Sequence, residues 1–253
     1  MKINLIQIDG AEWDPEHFAK YMRMQIKADL TVFPECFPLD NLDKPILHAA
    51  AIKILREYSS AFPKQAFIAG GYIKDKEKHI RNRAYLMYQG SVIEHYDKQI
   101  PFQKEDIQPG LDIKSFQWNG NKCIPLICAD AYPGIDSEFM HRVIDKINAI
   151  GVGPTVPIVV CSYGAGIRDP GWRESLFHFA NKCKAPVVIC NIAGWLGQYK
   201  YHKRDGGDGK MHYYGGGGSG LFLPGESNPQ QFEEPGIVRV DIKSGKAEWN
   251  PFA

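Results

Sequence analysis

Three short strings, far apart in the chain, each set one chemically capable side chain at or near the end of an apolar run: Phe33-Pro34-Glu35, Tyr96-Asp97-Lys98 and Leu126-Ile127-Cys128-Ala129-Asp130. Thr31-Val32-Phe33 precedes the carboxylate, Val92-Ile93 leads toward the ammonium, and Ile124-Pro125-Leu126-Ile127 leads into the thiol. An apolar run closed by turn-forming residues reads as a buried strand whose end opens into a loop. Loops at strand ends are where open α/β sheets build their sites. A carboxylate, a cation and a thiol brought together suffice for covalent acyl transfer. The thiolate attacks, the carboxylate shuttles protons, and the cation favours both the thiolate and the developing oxyanion.

Each residue also has a plainer reading. An isolated Cys is most often a small buried hydrophobe, but Asp130, Tyr132, Pro133 and Gly134 follow Cys128 at once, so the strand ends at the thiol and turns. Glu35 follows a run that belongs in the core, which leaves its carboxylate half desolvated and in need of a partner. Near a thiol it could take the S–H proton and return it to a leaving ammonia. Most lysines are solvated surface charges. For Lys98, a strand-like run before it and Ile100-Pro101-Phe102 after it draw the stem inward, where the ammonium can offset a thiolate or oxyanion.

Other features read as ordinary structure. The glycine run at 215–218 lacks the spacing of a phosphate cradle. His202 and His212 lack the regular spacing of metal ligands, and there is no C-x-x-C pair, so no metal site is expected. Nothing orders Cys161 and His178 as a protease-like pair.

The elements that must position the three residues follow from periodicity. Strands are predicted at 3–8, 30–33, 66–73, 122–128, 158–162, 187–191, 221–223 and 237–242, and a hairpin at 83–88 and 91–96 joined by Gln89-Gly90. Helices are predicted at 15–27, 45–60, 136–150 and 172–182. Strands alternating with helices imply an α/β domain with helices covering a mixed sheet. Residues 199–219, rich in Gly, His, Lys and Tyr, read as a long mobile loop near the site's mouth.

Composition bounds the remainder. A chain of 253 residues with 44% hydrophobic content reads as one large domain with a sizeable core. A net charge of +1 argues against nucleic acid or an anionic membrane as partner. No apolar run approaches membrane-spanning length and none at the start suits a secretory signal, so a cytoplasmic location is expected. The six cysteines sit in apolar runs and do not suggest a disulfide scaffold.

In these settings and this order, Glu, Lys and Cys resemble the nitrilase superfamily of carbon–nitrogen hydrolases. Pro34-Glu35 resembles the family's first-acid motif, Ala69-Gly70-Gly71 its small-residue strand, and Arg81-Asn82-Arg83-Ala84 the segment that follows. Asp97-Lys98 matches the lysine motif and Cys128-Ala129-Asp130-Ala131-Tyr132-Pro133 the nucleophile segment. Gly218-Ser219-Gly220-Leu221-Phe222-Leu223-Pro224-Gly225 matches the late glycine–serine strand. The resemblance implies a four-layer α-β-β-α sandwich, usually dimeric. It implies catalysis by Glu35, Lys98 and Cys128, with Glu105 as a second acid before Pro109-Gly110, and substrate or oxyanion contacts from Ala129 and Tyr132. No cofactor or metal is implied, and the expected substrate is a small amide that loses ammonia through a thioester. Ala131 stands where carbamoylases and ω-amidases often carry an Arg, which weakens the case for an N-carbamoyl or α-keto acid amide, although Arg168, Arg173 or Lys200 could serve instead. A nitrilase, a glutaminase or acyltransferase with the same triad, and a catalytically silent scaffold are the alternatives.

Overall fold

Runs with a period of two form strands and runs with a period near 3.6 form helices, in the expected alternation. The computed structural model describes residues 1–10, 18–23, 27–39, 45–102, 105–131, 137–164, 169–194, 197–200, 211–214 and 216–252. Its first half contains β1 (Lys2–Gln7), α1 (Phe18–Arg23), β2 (Leu30–Val32), β3 (Pro38–Leu39), β4 (Ile46–Leu47), α2 (His48–Ala61), β5 (Ala66–Lys74), β6 (Ile80–Tyr88) and β7 (Ser91–Asp97). Next come β8 (Phe116–Trp118), β9 (Asn121–Ile127), α3 (Glu138–Ile150), β10 (Ile158–Cys161), α4 (Pro170–Cys183) and β11 (Val187–Cys190). The remainder is β12 (Gly197–Lys200), β13 (Met211–Tyr214), β14 (Ser219–Phe222), β15 (Gln230–Phe232), β16 (Gly236–Asp241) and β17 (Lys246–Asn250).

Two mixed sheets carry the core. One runs β17-β16-β1-β2-β5-β6-β7, and the other β15-β14-β11-β10-β9-β8. Side-chain alternation assigns the faces of the first sheet. Phe67, Ala69, Tyr85 and Met87 pack with Tyr21 of α1 and with Ala51 and Leu55 of α2. Their neighbours Ala66, Ile68, Ala84 and Leu86 pack with Ile124, Leu126 and Val160 of the second sheet. Helices α3 and α4 add Met140, Val143, Leu176 and Phe179 to this second cluster. No helix among the described residues is long and apolar enough to cross a membrane.

The edge of β5 is tiled by three short parallel strands. β2 pairs with 66–68, β3 with Gly70 and Gly71, and β4 with Ile73 and Lys74. This pairing corrects the predicted helix start at 45. Ile46 and Leu47 are extended along β5, and the helix begins at His48. A partly formed sheet edge offers these residues ladder bonds that a helix N-terminus, with its unsatisfied N–H groups, does not. The Gln89-Gly90 turn is as expected, with φ of 51° and 74°, the left-handed pair that a two-residue hairpin needs. The predicted loop at 199–219 is partly corrected. Residues 197–200 and 211–214 form an antiparallel pair, Ser219 opens β14, and 201–210 lie outside the described residues. Short strands β8, β15 and β17 were also absent from the sequence reading.

Candidate active site

Glu35 is presented by a detour from the β5 edge. The Phe33 N–H bonds Ile68 O before it, and the Gly70 N–H bonds Phe37 O after it, at 3.0 and 2.9 Å. Between these anchors the chain leaves the sheet, and the Glu35 N–H reaches Ser162 O at the end of β10, 3.3 Å away. Glu35 therefore lies where the two sheets meet, 4% exposed.

Lys98 belongs to a lateral row on the face that meets the second sheet. Tyr72 pairs with Asn82 across β5 and β6, and the Lys98 N–H bonds Asn82 O at 2.9 Å beyond the end of β7. Residues opposite one another in a ladder point to the same face, and Tyr72, Asn82 and Lys98 converge on two carboxylates. Lys98 Nζ donates to Glu35 Oε1 at 2.7 Å and to Glu105 Oε2 at 2.8 Å. Asn82 Nδ2 bridges the same pair, at 2.8 Å from Glu35 Oε1 and 2.9 Å from Glu105 Oε1. The Tyr72 hydroxyl donates to Glu105 Oε1 and the Phe102 N–H to Glu105 Oε2. The expected carboxylates and cation are thus brought into one buried cluster, Glu105 included. Asn82 and Tyr72 were not among the expected site residues. As two polar side chains at paired positions facing the sheet–sheet core, they are marked only once the β5–β6 register is known.

Cys128 ends β9 and opens the 3₁₀ turn Cys128–Ala131. Its φ is 46°, a left-handed conformation that a residue with a Cβ rarely takes. Such strain, about 1–3 kcal/mol, persists where surrounding structure imposes it and clusters at functional sites. The thiol lies within electrostatic range of Lys98. Burial alone would lower the Lys98 pKa, but the neighbouring Glu35, Cys128 and Glu105 groups outweigh it and hold the value well above that of a free lysine. Lys98 is therefore a fixed cation rather than a base. Burial pushes the Glu105 carboxyl up, but Lys98, the Phe102 N–H and Asn82 more than offset this and bring it below its ordinary value. Asn82 Nδ2 and Lys98 Nζ both donate to Oε1 of the Glu35 carboxylate.

Ala129 follows the thiol in the same buried turn. Tyr132, Pro133, Gly134 and Arg168 lie outside the described residues. The other five cysteines are buried free thiols, and burial pushes those of Cys123, Cys161 and Cys190 far up and that of Cys183 up to about 12. Gly217 and Gly218 spend their N–H groups on Ile192 O and Phe232 O, so they make no anion cradle. Pro34, Glu35, Gly70, Asn82, Ile127 and Cys161 line a small cavity beside the cluster. A larger concavity lies on the outer face of α2 and holds none of these groups.

No protein-family model matches the chain, and no curated protein sequence resembles it. Solved structures do. The glutamine-dependent NAD+ synthetase from Acinetobacter baumannii superposes with a TM-score of 0.70 at 18% identity, over 100% of this chain and 48% of that one. The chain thus spans about half of that protein. Nit3 from Saccharomyces cerevisiae, a member of branch 10 of the nitrilase superfamily, gives 0.69 at 18% identity, over 96% of this chain and 92% of its own. A Glu-to-Gln variant of the amidase from Nesterenkonia sp. AN1 gives 0.71 at 21% identity, over 95% and 89%. That structure shows covalent addition of the acetamide moiety of fluoroacetamide at the active site cysteine. At these identities the likeness shows the fold: a mixed α/β architecture of the nitrilase type.

Proposed function

We propose that this chain is a cysteine-dependent hydrolase of the nitrilase superfamily that cleaves the carbon–nitrogen bond of a small amide and releases ammonia. The observation that carries the reading is the buried Lys98 held between Glu35 and Glu105, at 2.7 and 2.8 Å, within electrostatic range of a thiol in a strained turn. The nitrilase-type fold supports it. So does the amidase whose cysteine takes up the acetamide moiety of fluoroacetamide.

The proposed steps use these groups in turn. The Glu35 carboxylate takes the Cys128 proton as sulfur attacks the carbonyl carbon. An ammonium has three donors, and Lys98 commits two to the carboxylates. The third, with the Ala129 N–H, meets the oxyanion. Glu35 returns the proton to nitrogen, the C–N bond breaks and ammonia leaves a thioester. Water, activated by Glu35, attacks that thioester, giving the acid and the free thiol. Glu105 and Asn82 hold Lys98 and Glu35 in register. Tyr132, beside the turn in sequence, is assigned to substrate contact.

The site's charge favours a neutral substrate. Two carboxylates surround one ammonium, and Ala131, where a substrate-gripping Arg would stand, is 1% exposed in the core. Simple aliphatic amides therefore come ahead of N-carbamoyl acids. The test is ammonia release from acetamide, propionamide, butyramide, glutamine, an N-carbamoyl amino acid and the matching nitriles. Turnover of neutral amides above the others is expected. Turnover of the nitriles alone, or of none, contradicts the reading. We further propose that the chain works as a homodimer or a higher homo-oligomer.

A further inference from the structure

Two residues beyond the thiol stands a carboxylate outside the chemistry described above. Asp130 is fully buried and accepts four hydrogen bonds. Oδ1 takes the N–H groups of Gln99 and Ile100, at 3.0 and 2.8 Å. Oδ2 takes the Tyr96 hydroxyl at 2.8 Å and the Ile127 N–H at 3.3 Å. Every donor flanks a reacting group. Tyr96 lies two residues before Lys98 and on its face, Gln99 and Ile100 follow Lys98, and Ile127 precedes Cys128.

We propose that Asp130 is a positioning residue that fixes the nucleophile turn of Cys128 against the strand end that carries Lys98. The proposal rests on the reading of Cys128 and Lys98 as reacting groups. β7 belongs to the first sheet, and the segment after it continues from that strand's end, whereas β9 belongs to the second. Side chains on two facing sheets set only an approximate register between strand ends. One carboxylate gripping both backbones sets it to within a hydrogen bond. The grip also explains how Cys128 is kept at a φ of 46°, since the Ile127 N–H and the turn are both tied to the same group. A buried charge with no role is costly and is often replaced by apolar residues without loss. Burial pushes the Asp130 carboxyl up to about 6, against the opposing pull of the Ile100 N–H, the Lys98 charge, the Tyr96 hydroxyl and the Gln99 N–H. Asparagine is nearly isosteric but turns an N–H toward one pair of donors, leaving buried donors without an acceptor.

Two variants and two rates test this. Asp130→Asn breaks one side of the grip, and Tyr96→Phe removes a single hydroxyl with little change in volume. The first rate is alkylation of Cys128 by iodoacetamide, resolved by peptide mass mapping, which needs no substrate. The second is amide turnover, separated into kcat and KM. Tyr96→Phe is expected to slow both alkylation and kcat about tenfold, a loss of one hydrogen bond to a charged group, with KM little changed. Asp130→Asn is expected to slow both by about a hundredfold or more; if it does not fold, Tyr96→Phe decides alone. A fall in melting temperature with both rates within about twofold of wild type, measured where each variant is folded, overturns the proposal. A wild type that turns over no amide counts against the hydrolase reading, and the alkylation rates still decide the role of Asp130.

Discussion

Lys98 Nζ stands 2.7 Å from Glu35 Oε1, with both side chains buried and the two residues 63 positions apart in sequence. A buried ion pair is weak support for stability, because desolvation consumes most of the attraction. Here a second carboxylate, Glu105, joins at 2.8 Å, so the cluster holds more negative than positive charge. That arrangement suits a lysine that must stay protonated while a thiolate and then an oxyanion form beside it.

The cluster acts as one unit in the proposed acylation step. Glu35→Gln removes the proton carrier at constant shape, and Lys98→Met removes the charge while keeping the stem. Each is expected to cut kcat by several powers of ten, and the double variant to lose far less than the product of the two, as for groups serving one step. Steady-state kinetics on the three proteins decides. Full multiplicativity, or a single variant near wild-type rates, counts against the unit.

Asn82 has a separate role, since its Nδ2 joins Glu35 to Glu105 at 2.8 and 2.9 Å. Asn82→Ala leaves Glu35 and Glu105 each with one donor fewer beside Lys98, which loosens the hold on both side chains. A kcat loss of about 10²-fold with a folded protein is expected, by analogy with loss of one preorganised donor. Wild-type kcat in this variant would make the bridge incidental.

Why Asn82 escaped the sequence reading is a matter of context. Glu35, Lys98 and Cys128 each follow an apolar run, and that contrast is visible in one dimension. Asn82 and Tyr72 acquire meaning only through the β5–β6 register, which a lone sequence does not specify. Residues 211–214, Met-His-Tyr-Tyr, are β-favouring, but the surrounding glycines and lysines masked them as loop. Trp249 Nε1 bonds Glu234 O at 3.1 Å, and the Phe252 ring lies 5.0 Å from that of Tyr21 in the same chain.

Two carboxylates should tilt stability in opposite directions with pH. The Asp130 value, about 6, lies above its ordinary 3.8, so between these values the folded state binds more protons than the unfolded and stability falls as pH rises. The margin of wild type over Asp130→Asn should therefore shrink from about pH 4 to about pH 6. The folded value of Glu105 lies below its ordinary 4.5, so its contribution is present above that value and is lost as pH falls through the folded one. The margin over Glu105→Gln should accordingly narrow on acidification. Denaturant titrations from about pH 3 to about pH 7 check both slopes, each in its own window, and slopes of equal sign would contradict the assignment.

At Gly70 the backbone of β6 lies close against β5 beside the site. A Cβ there would collide with Arg83 O and Ala84 Cα, one residue from Asn82. Gly70→Ala is expected to destabilise by about 1–3 kcal/mol, the usual cost of overpacking, and to lower kcat by displacing Asn82. Thermal melts and kinetics report on the two effects, and a variant equal to wild type in both would remove the close approach from the account.

The central claim is that Cys128 forms the covalent bond to substrate. In Glu35→Gln, fluoroacetamide should alkylate that thiol: the S–H proton passes to solvent, the S–C bond forms, the C–F bond breaks and fluoride leaves, so the acetamide moiety stays on the protein. Intact mass followed by peptide mapping is the measurement. The account expects one adduct, on Cys128, absent from Glu35→Gln/Cys128→Ala. No adduct, or one on Cys36, Cys123, Cys161, Cys183 or Cys190 instead, would contradict it.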